Sequence, residues 1–235
     1  MARSLRRLAD CIGLKGEFEV VRDFFGYATG APGQLSLLDQ MKLLRQYHVN
    51  VNVILVGAEW FGDDELSEVD GAVAFMRDAF ATVNFGVGRI RWYHITTDEA
   101  NGREHIVNDA EAEDLTHEWT VDNYAMDVFF VLTYAGSSIG TAPRKGPTNK
   151  NANGPMTGVV LAIEGSPAVT GNVLAREVAR YLGLKDSENS NNLMYPWVPN
   201  GGHLTREQGE DLIGPGHYLG PFVVLGCREY IVRWA

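Results

Sequence analysis

Arg176, Glu177, Arg180 and Asp186 are the side chains of this 235-residue sequence whose types and spacing point to a single site. The stretch reads Arg-Glu-Val-Ala-Arg-Tyr-Leu-Gly-Leu-Lys-Asp, and Asn192-Leu193-Met194-Tyr195-Pro196 follows shortly after. Residues four apart on a helix project from one face, so Arg176 and Arg180 would present two guanidinium groups side by side. A guanidinium is permanently cationic, carries only donors, and pairs well with carboxylates. By itself Arg-Glu-x-x-Arg is ordinarily a solvated helix face with i,i+4 ion pairs. The Gly183 stop, Asp186 and the methionine turn beyond it set this stretch apart.

With those positions quoted, the stretch resembles the metzincin zinc proteases. Their signature is His-Glu-x-x-His-x-x-Gly-x-x-His or Asp, followed by a methionine-containing turn. The match holds at every position except the two histidines, which are Arg176 and Arg180 here. The resemblance places Glu177 at the general-base position, Gly183 at the helix stop, Asp186 at the third ligand and Met194 at the turn. It covers roughly Val49 to Asp211. It implies a metzincin-like (zincin) fold, α/β with a mixed, mainly parallel twisted sheet, and a substrate cleft along an edge strand. In the family the glutamate polarises a zinc-bound water.

The departure matters chemically. A catalytic zinc site needs three protein ligands with lone pairs and one open position. Of the three ligand positions only Asp186 offers a lone pair, and two guanidinium charges would repel the cation. The reading is therefore a catalytically inactive pseudo-metalloprotease with no bound metal and no cofactor, in which Glu177 is an idle vestige. Two arginines supply the +2 that zinc would bring, so Arg176, Arg180 and Asp186 are expected to form an ion-pair cluster that pins the former metal pocket. On that reading Arg180→Ala should lower the melting temperature. The expected role is binding of a protein or peptide by strand addition in the cleft. The alternative is a hydrolase using Glu177 and a non-standard metal site.

Other candidates are weaker. His117-Glu118 begins like a zinc motif, but Val121 stands where the second histidine belongs. His48, His94 and His105 are isolated, and His203 and His217 lie in Gly-rich stretches. Asp109, Glu111, Glu113 and Asp114 lack the ligand pattern of a calcium loop and read as a solvated acidic loop. No Gly-x-Ser-x-Gly elbow and no phosphate-binding glycine pattern is present.

The elements that must position the site follow from periodicity. Alternation over Val49–Val56 predicts a strand. Leu66, Val69, Val73, Met76, Phe80 and Val83 recur at helical steps behind a cap at Asp63 or Asp64. Further strands are expected at Ile90–Ile95, Met126–Tyr134 and Gly158–Ile163, with a helix over Asn172–Leu182. Asn101–Asp114 reads as an exposed loop, Gly136–Gly154 as an excursion carrying an edge strand, and the chain beyond the methionine turn as loops. Residues 1–47 form an N-terminal helical extension to a single unit, 48–235. The extension holds an amphipathic helix over 2–14, an apolar cluster over 17–27 with Phe18, Phe24 and Phe25, a turn at 30–33 and a helix over Leu37–Leu44.

Apolar residues make up 45% and charged residues 21%, the balance of a globular protein. A net charge of −10 argues against nucleic acid as a main partner. Cys11 and Cys227 read as buried free thiols, with a bridge between the two ends as the alternative. No run approaches a membrane span and no apolar stretch follows the N-terminal arginines. The expected location is cytoplasmic, or exported without a cleaved signal peptide.

Overall fold

The computed structural model describes residues 47–135, 139–150, 155–197, 200–214 and 220–225. The expectations for residues 1–46, for both cysteines and for His217 fall outside them.

Two long apolar runs start the core. Strand β1 (Tyr47–Val56) is followed by a 3-10 turn, helix α1 (Asp63–Ala81) and strand β2 (Gly86–Ile95). Strands β4 (Met126–Val131) and β7 (Gly158–Ala162) complete the parallel part, and β6 (Gly140–Thr141) closes it as an antiparallel edge. Before β4 come α2 (Thr97–Ala100), β3 (His105–Ile106) and α3 (Asp109–Glu118); β5 (Thr133–Tyr134) follows it. Helix α4 (Pro167–Tyr181), helix α5 (Arg206–Ile213) and strand β8 (Val223–Leu225) end the described chain. The strand order is β2-β1-β4-β7-β6, with β8 antiparallel to the start of β1. The fold is therefore α/β with a mixed, mainly parallel sheet, as expected.

Both faces of that sheet are covered, which explains why its strands read as unbroken apolar runs. Val49, Val51, Val53 and Leu55 pack with Val69, Met76, Leu174 and Val178 of α1 and α4. Ile54, Val56, Phe129 and Val131 point the other way, onto Ala112 and Leu115 of α3. Helices α1 and α4 approach closely because Gly171 has no side chain; a Cβ there would sit 2.6 Å from Phe75 Cβ.

Four local expectations need correction. The acidic stretch 101–114 is not a loop: it carries β3 and most of α3. Asn108 caps α3 by accepting from Glu111 N–H at 3.0 Å, while Ala112 and Leu115 bury. One small and one large apolar residue among acids make a weak periodic signal. The Met126–Tyr134 run is not one strand. The Leu132 and Thr133 amides turn to the Glu104 carbonyl, and β5 pairs with β3 in a separate two-stranded sheet. Helix α4 starts at Pro167, five residues earlier than expected, because proline suits the first helical turn. The region after the methionine turn is not all loop, since Thr205 and Gln208 cap α5 reciprocally and β8 returns to β1.

The excursion between β6 and β7 is anchored at depth. Lys150 Nζ reaches Asp127 Oδ1 at 2.8 Å, and that fully buried carboxylate also accepts from Asn52 Nδ2, Thr120 Oγ1 and Val121 N–H. Burial pushes the Lys150 ammonium down and the Asp127 charge opposes it. The partners satisfy both Asp127 oxygens, the condition under which a buried charge is tolerable.

The helix crossing supplies a test. Gly171→Ala forces a methyl group into Phe75, and we expect a loss of about 1–3 kcal/mol in denaturant unfolding. An unchanged unfolding midpoint would mean that the two helices can separate without penalty.

Candidate functional site

Helix α4 is nearly all buried from Thr170 to Tyr181 and runs behind the sheet toward its edge strand. Its end is a Schellman turn: Gly183 N–H donates to the Arg180 carbonyl at 2.9 Å and Leu184 N–H to the Ala179 carbonyl at 3.0 Å. Gly183 has φ +117°, a conformation that L side chains rarely adopt, and it swings the chain back so that Asp186 faces the helix it has just left.

That return brings Arg176, Glu177, Arg180 and Asp186 together. Arg176 donates through Nη1 to Glu177 Oε1 and through Nη2 to Asp186 Oδ1, the latter at 2.7 Å. Arg180 Nη1 lies 3.5 Å from Asp186 Oδ2, and its Nε donates to the Ala142 carbonyl at 3.1 Å. The two arginines are unequal. The Arg176 side chain is 11% exposed and Arg180 33%. Arg176 therefore bridges two carboxylates in a dry setting, whereas Arg180 sits at the rim and holds Asp186 loosely. The Nε of Arg176 is buried without a partner, so its satisfaction is incomplete.

Glu177 is almost wholly buried. Burial pushes its carboxyl up to about 7, against the pull of Arg176 and Arg180 and with a small further push from Asp186. Tyr134 stands nearby, donating from its hydroxyl to Asp109 Oδ1 at 2.5 Å. Burial raises the Tyr134 phenol, and the Asp109 and Glu177 charges add to the effect.

The floor is the methionine turn. Met194 is fully buried, its N–H donates to Asn192 Oδ1 at 2.9 Å, and its carbonyl accepts from Ser187 N–H, next to Asp186. Asn192 and Gln208 of α5 exchange reciprocal amide bonds at 2.8 and 3.0 Å. Asn200 carries a bond from Asn172 on to the Leu193 carbonyl. The turn is thus tied to α4 and α5 by side-chain amides.

The donor set does not fit a zinc ion. Between α4 and the methionine turn the lone pairs belong to Glu177 and Asp186, and both carboxylates already accept from a guanidinium. Among the described residues no three His, Cys, Asp or Glu side chains converge as metal ligands. His117 stays apart in the last turn of α3, with Nε2 buried and unpartnered. Asp109, Glu111, Glu113 and Asp114 lie on α3 itself.

Sequence reasoning placed Asp109 in a solvated acidic loop rather than beside Tyr134, and missed Tyr134 and the Ala142 carbonyl. Ala142 is 38 residues from Arg180 and contributes only backbone, so no residue type could have signalled it.

No family model matches this chain, and no curated protein matches it. Among solved structures it is similar to archaemetzincin from Methanopyrus kandleri, with 11% identity over 70% of this chain and 93% of that one, at TM-score 0.48. It is also similar to metalloproteinase-II from Bacteroides fragilis, with 11% identity over 87% of this chain and 59% of that one, at TM-score 0.49. The chain thus spans about three fifths of the Bacteroides protein. The chemistry of the site rests on its own side chains.

Two outcomes test this geometry. Arg176→Ala strands the buried Glu177 carboxylate and should cost about 3–5 kcal/mol near pH 8, but less near pH 5, where Glu177 takes up a proton. Arg180→Ala, at a side chain one third exposed, should have the smaller effect. The wild-type protein carries a pH dependence of its own. Below the usual carboxyl value of 4.5 Glu177 is protonated in both states; from there to about 7 the unfolded chain releases the proton while the folded chain keeps it. Its contribution to stability therefore falls as pH rises through that window. Glu177→Gln should flatten the corresponding fall in melting temperature, and an unaltered slope would remove Glu177 as its source.

Proposed function

We propose that this chain is a catalytically inactive pseudo-metalloprotease that binds a protein or extended peptide in the cleft beside its edge strand. One observation carries the reading: the Arg176 guanidinium occupies the space between Glu177 and Asp186 and pairs with both. In this role the two arginines and Asp186 replace a metal as the pin of the pocket, and Glu177 has no activated water to work on. On this reading the cleft is kept without the metal. Strand β6 ends the sheet order, and its neighbour Ala142 is bonded to Arg180, so edge strand and pin form one rigid wall. An extended segment can add to such an edge through main-chain hydrogen bonds.

A second reading draws on Glu177. A carboxyl near 7 is poised for proton transfer at neutral pH, which suits a hydrolase using that residue and a non-standard metal site. The arginine pairing argues against it, because Glu177 would have to leave Arg176 to act.

Metal analysis and cleavage assays separate the two. The purified full-length protein, incubated with zinc and dialysed, should retain none in stoichiometric amount and should not cleave casein or a mixed peptide library. Retained zinc accompanied by cleavage would overturn the first reading. Changing Arg176→His and Arg180→His together should install zinc binding if the backbone keeps a ligand geometry.

A further inference from the structure

Five of the twenty Lys and Arg residues of this acidic protein lie around one end of α4. The chain carries a net charge of −10, yet Arg144, Lys145, Arg176, Arg180 and Lys185 cluster in sequence and space around the last turn of that helix. Among the described residues only Glu177 and Asp186 form ion pairs with them, and Arg176 takes the shorter contacts of both. Arg144, Lys145 and Lys185 are exposed and pair with no acid among the described residues.

The segment carrying Arg144 and Lys145 is held firmly. The Ala142 carbonyl accepts from Arg180 Nε at 3.1 Å, Lys145 N–H donates to the Arg180 carbonyl at 3.0 Å, and Gly146 N–H donates to the Tyr181 carbonyl at 2.8 Å. Lys145 itself has φ +58°, a left-handed conformation that is unfavourable for a lysine. Residues kept in such conformations by their surroundings concentrate at ligand-binding sites. Cations near a helix C-terminus also complement its dipole, but that effect does not consume their hydrogen-bond donors.

We propose that this strap and Arg180 form a recognition site for an acidic extended peptide, whose Asp or Glu side chains pair with Arg144, Lys145 and Arg180 as its backbone lies beside β6. The inference rests on the proposed cleft function and names the chemistry of its partner. Arg180 is the natural contact from the helix: it is a third exposed and its grip on Asp186 is long at 3.5 Å, so an incoming carboxylate can share or displace that partner. Arg144 and Lys145 stand in the turn that follows the edge strand, so a segment docked along β6 would run toward them. Because the rest of the molecule is acidic, the local field steers an anionic segment to this end of the cleft.

The test uses the full-length protein and labelled ten-residue peptides alternating Val with Asp, read by fluorescence anisotropy. A Val–Asn peptide is the neutral control, and each is made with a free or an amidated C-terminus. The acidic peptide should bind at least tenfold more tightly than the neutral one, weaken as salt rises, and bind equally well when amidated. Arg144→Gln with Lys145→Gln should lower its affinity by about tenfold while leaving the melting temperature unchanged; Arg180→Gln should lower the affinity by a similar factor together with a small fall in melting temperature, because it also releases Asp186 and the Ala142 carbonyl. Equal binding of acidic and neutral peptides would overturn the acidic preference and leave the cleft reading standing. Binding by no peptide would remove both. Binding only of the free-acid form would replace side-chain recognition with capture of a chain end, and preference for a single-stranded oligonucleotide over the acidic peptide would overturn the partner class.

Discussion

A guanidinium inside a helix that is buried on nearly every side must find compensation, and the rest of the site follows from that demand. Arg176 projects from the middle of α4, where water is scarce and a lone charge would be prohibitively unstable. Glu177 answers part of it from the same turn of helix. Asp186 answers the remainder, but only because the backbone reverses at Gly183 and returns toward the helix. The Schellman turn, the left-handed glycine and the Ser187 bond to Met194 therefore serve one electrostatic end: they hold a half-exposed carboxylate against a buried cation.

Glu177 shows which effect dominates inside that cluster. It lies against one arginine and close to another, and pairing alone would depress its carboxyl. Burial pushes the other way and wins, leaving it near 7. The site is thus a place where charge is tolerated only partly, and where protonation remains an outlet. The Asp127 network contrasts with it: four donors surround that carboxylate, and no shortfall of hydrogen bonds remains at either oxygen. One buried acid is fully served while the other is held by a single arginine.

The long excursion after β6 links these two regions. Lys150 anchors it to Asp127 on one side, and its Ala142–Gly146 portion caps the last turn of α4 on the other. A loop fastened at both ends keeps its cations in a defined position, and the edge strand at its start inherits that rigidity. Tyr181 strengthens the seam, since its hydroxyl donates to the Pro147 carbonyl at 2.8 Å and its ring lies directly under Gly146.

The sequence by itself determined the α/β class and singled out Arg176, Glu177, Arg180 and Asp186 as side chains that would lie together. Long apolar runs and three-four periodicity are local signals, and Arg176, Glu177, Arg180 and Asp186 lie within a span short enough for helix geometry and the Gly183 turn to relate them. It also marked β1, α1 and β7 closely, because their burial on one or two faces leaves a strong pattern. Only the tertiary structure decided which arginine is dry. Arg176 and Arg180 are the same residue type one turn apart, and their difference comes from the sheet, the methionine turn and the Ala142 strap packed around them. The same holds for α3, whose acids hide two buried apolar contacts, and for the break between β4 and β5, which a distant Glu104 carbonyl imposes. Burial and long-range hydrogen bonding depend on what lies across the fold, and neighbouring residues in the chain carry no record of that.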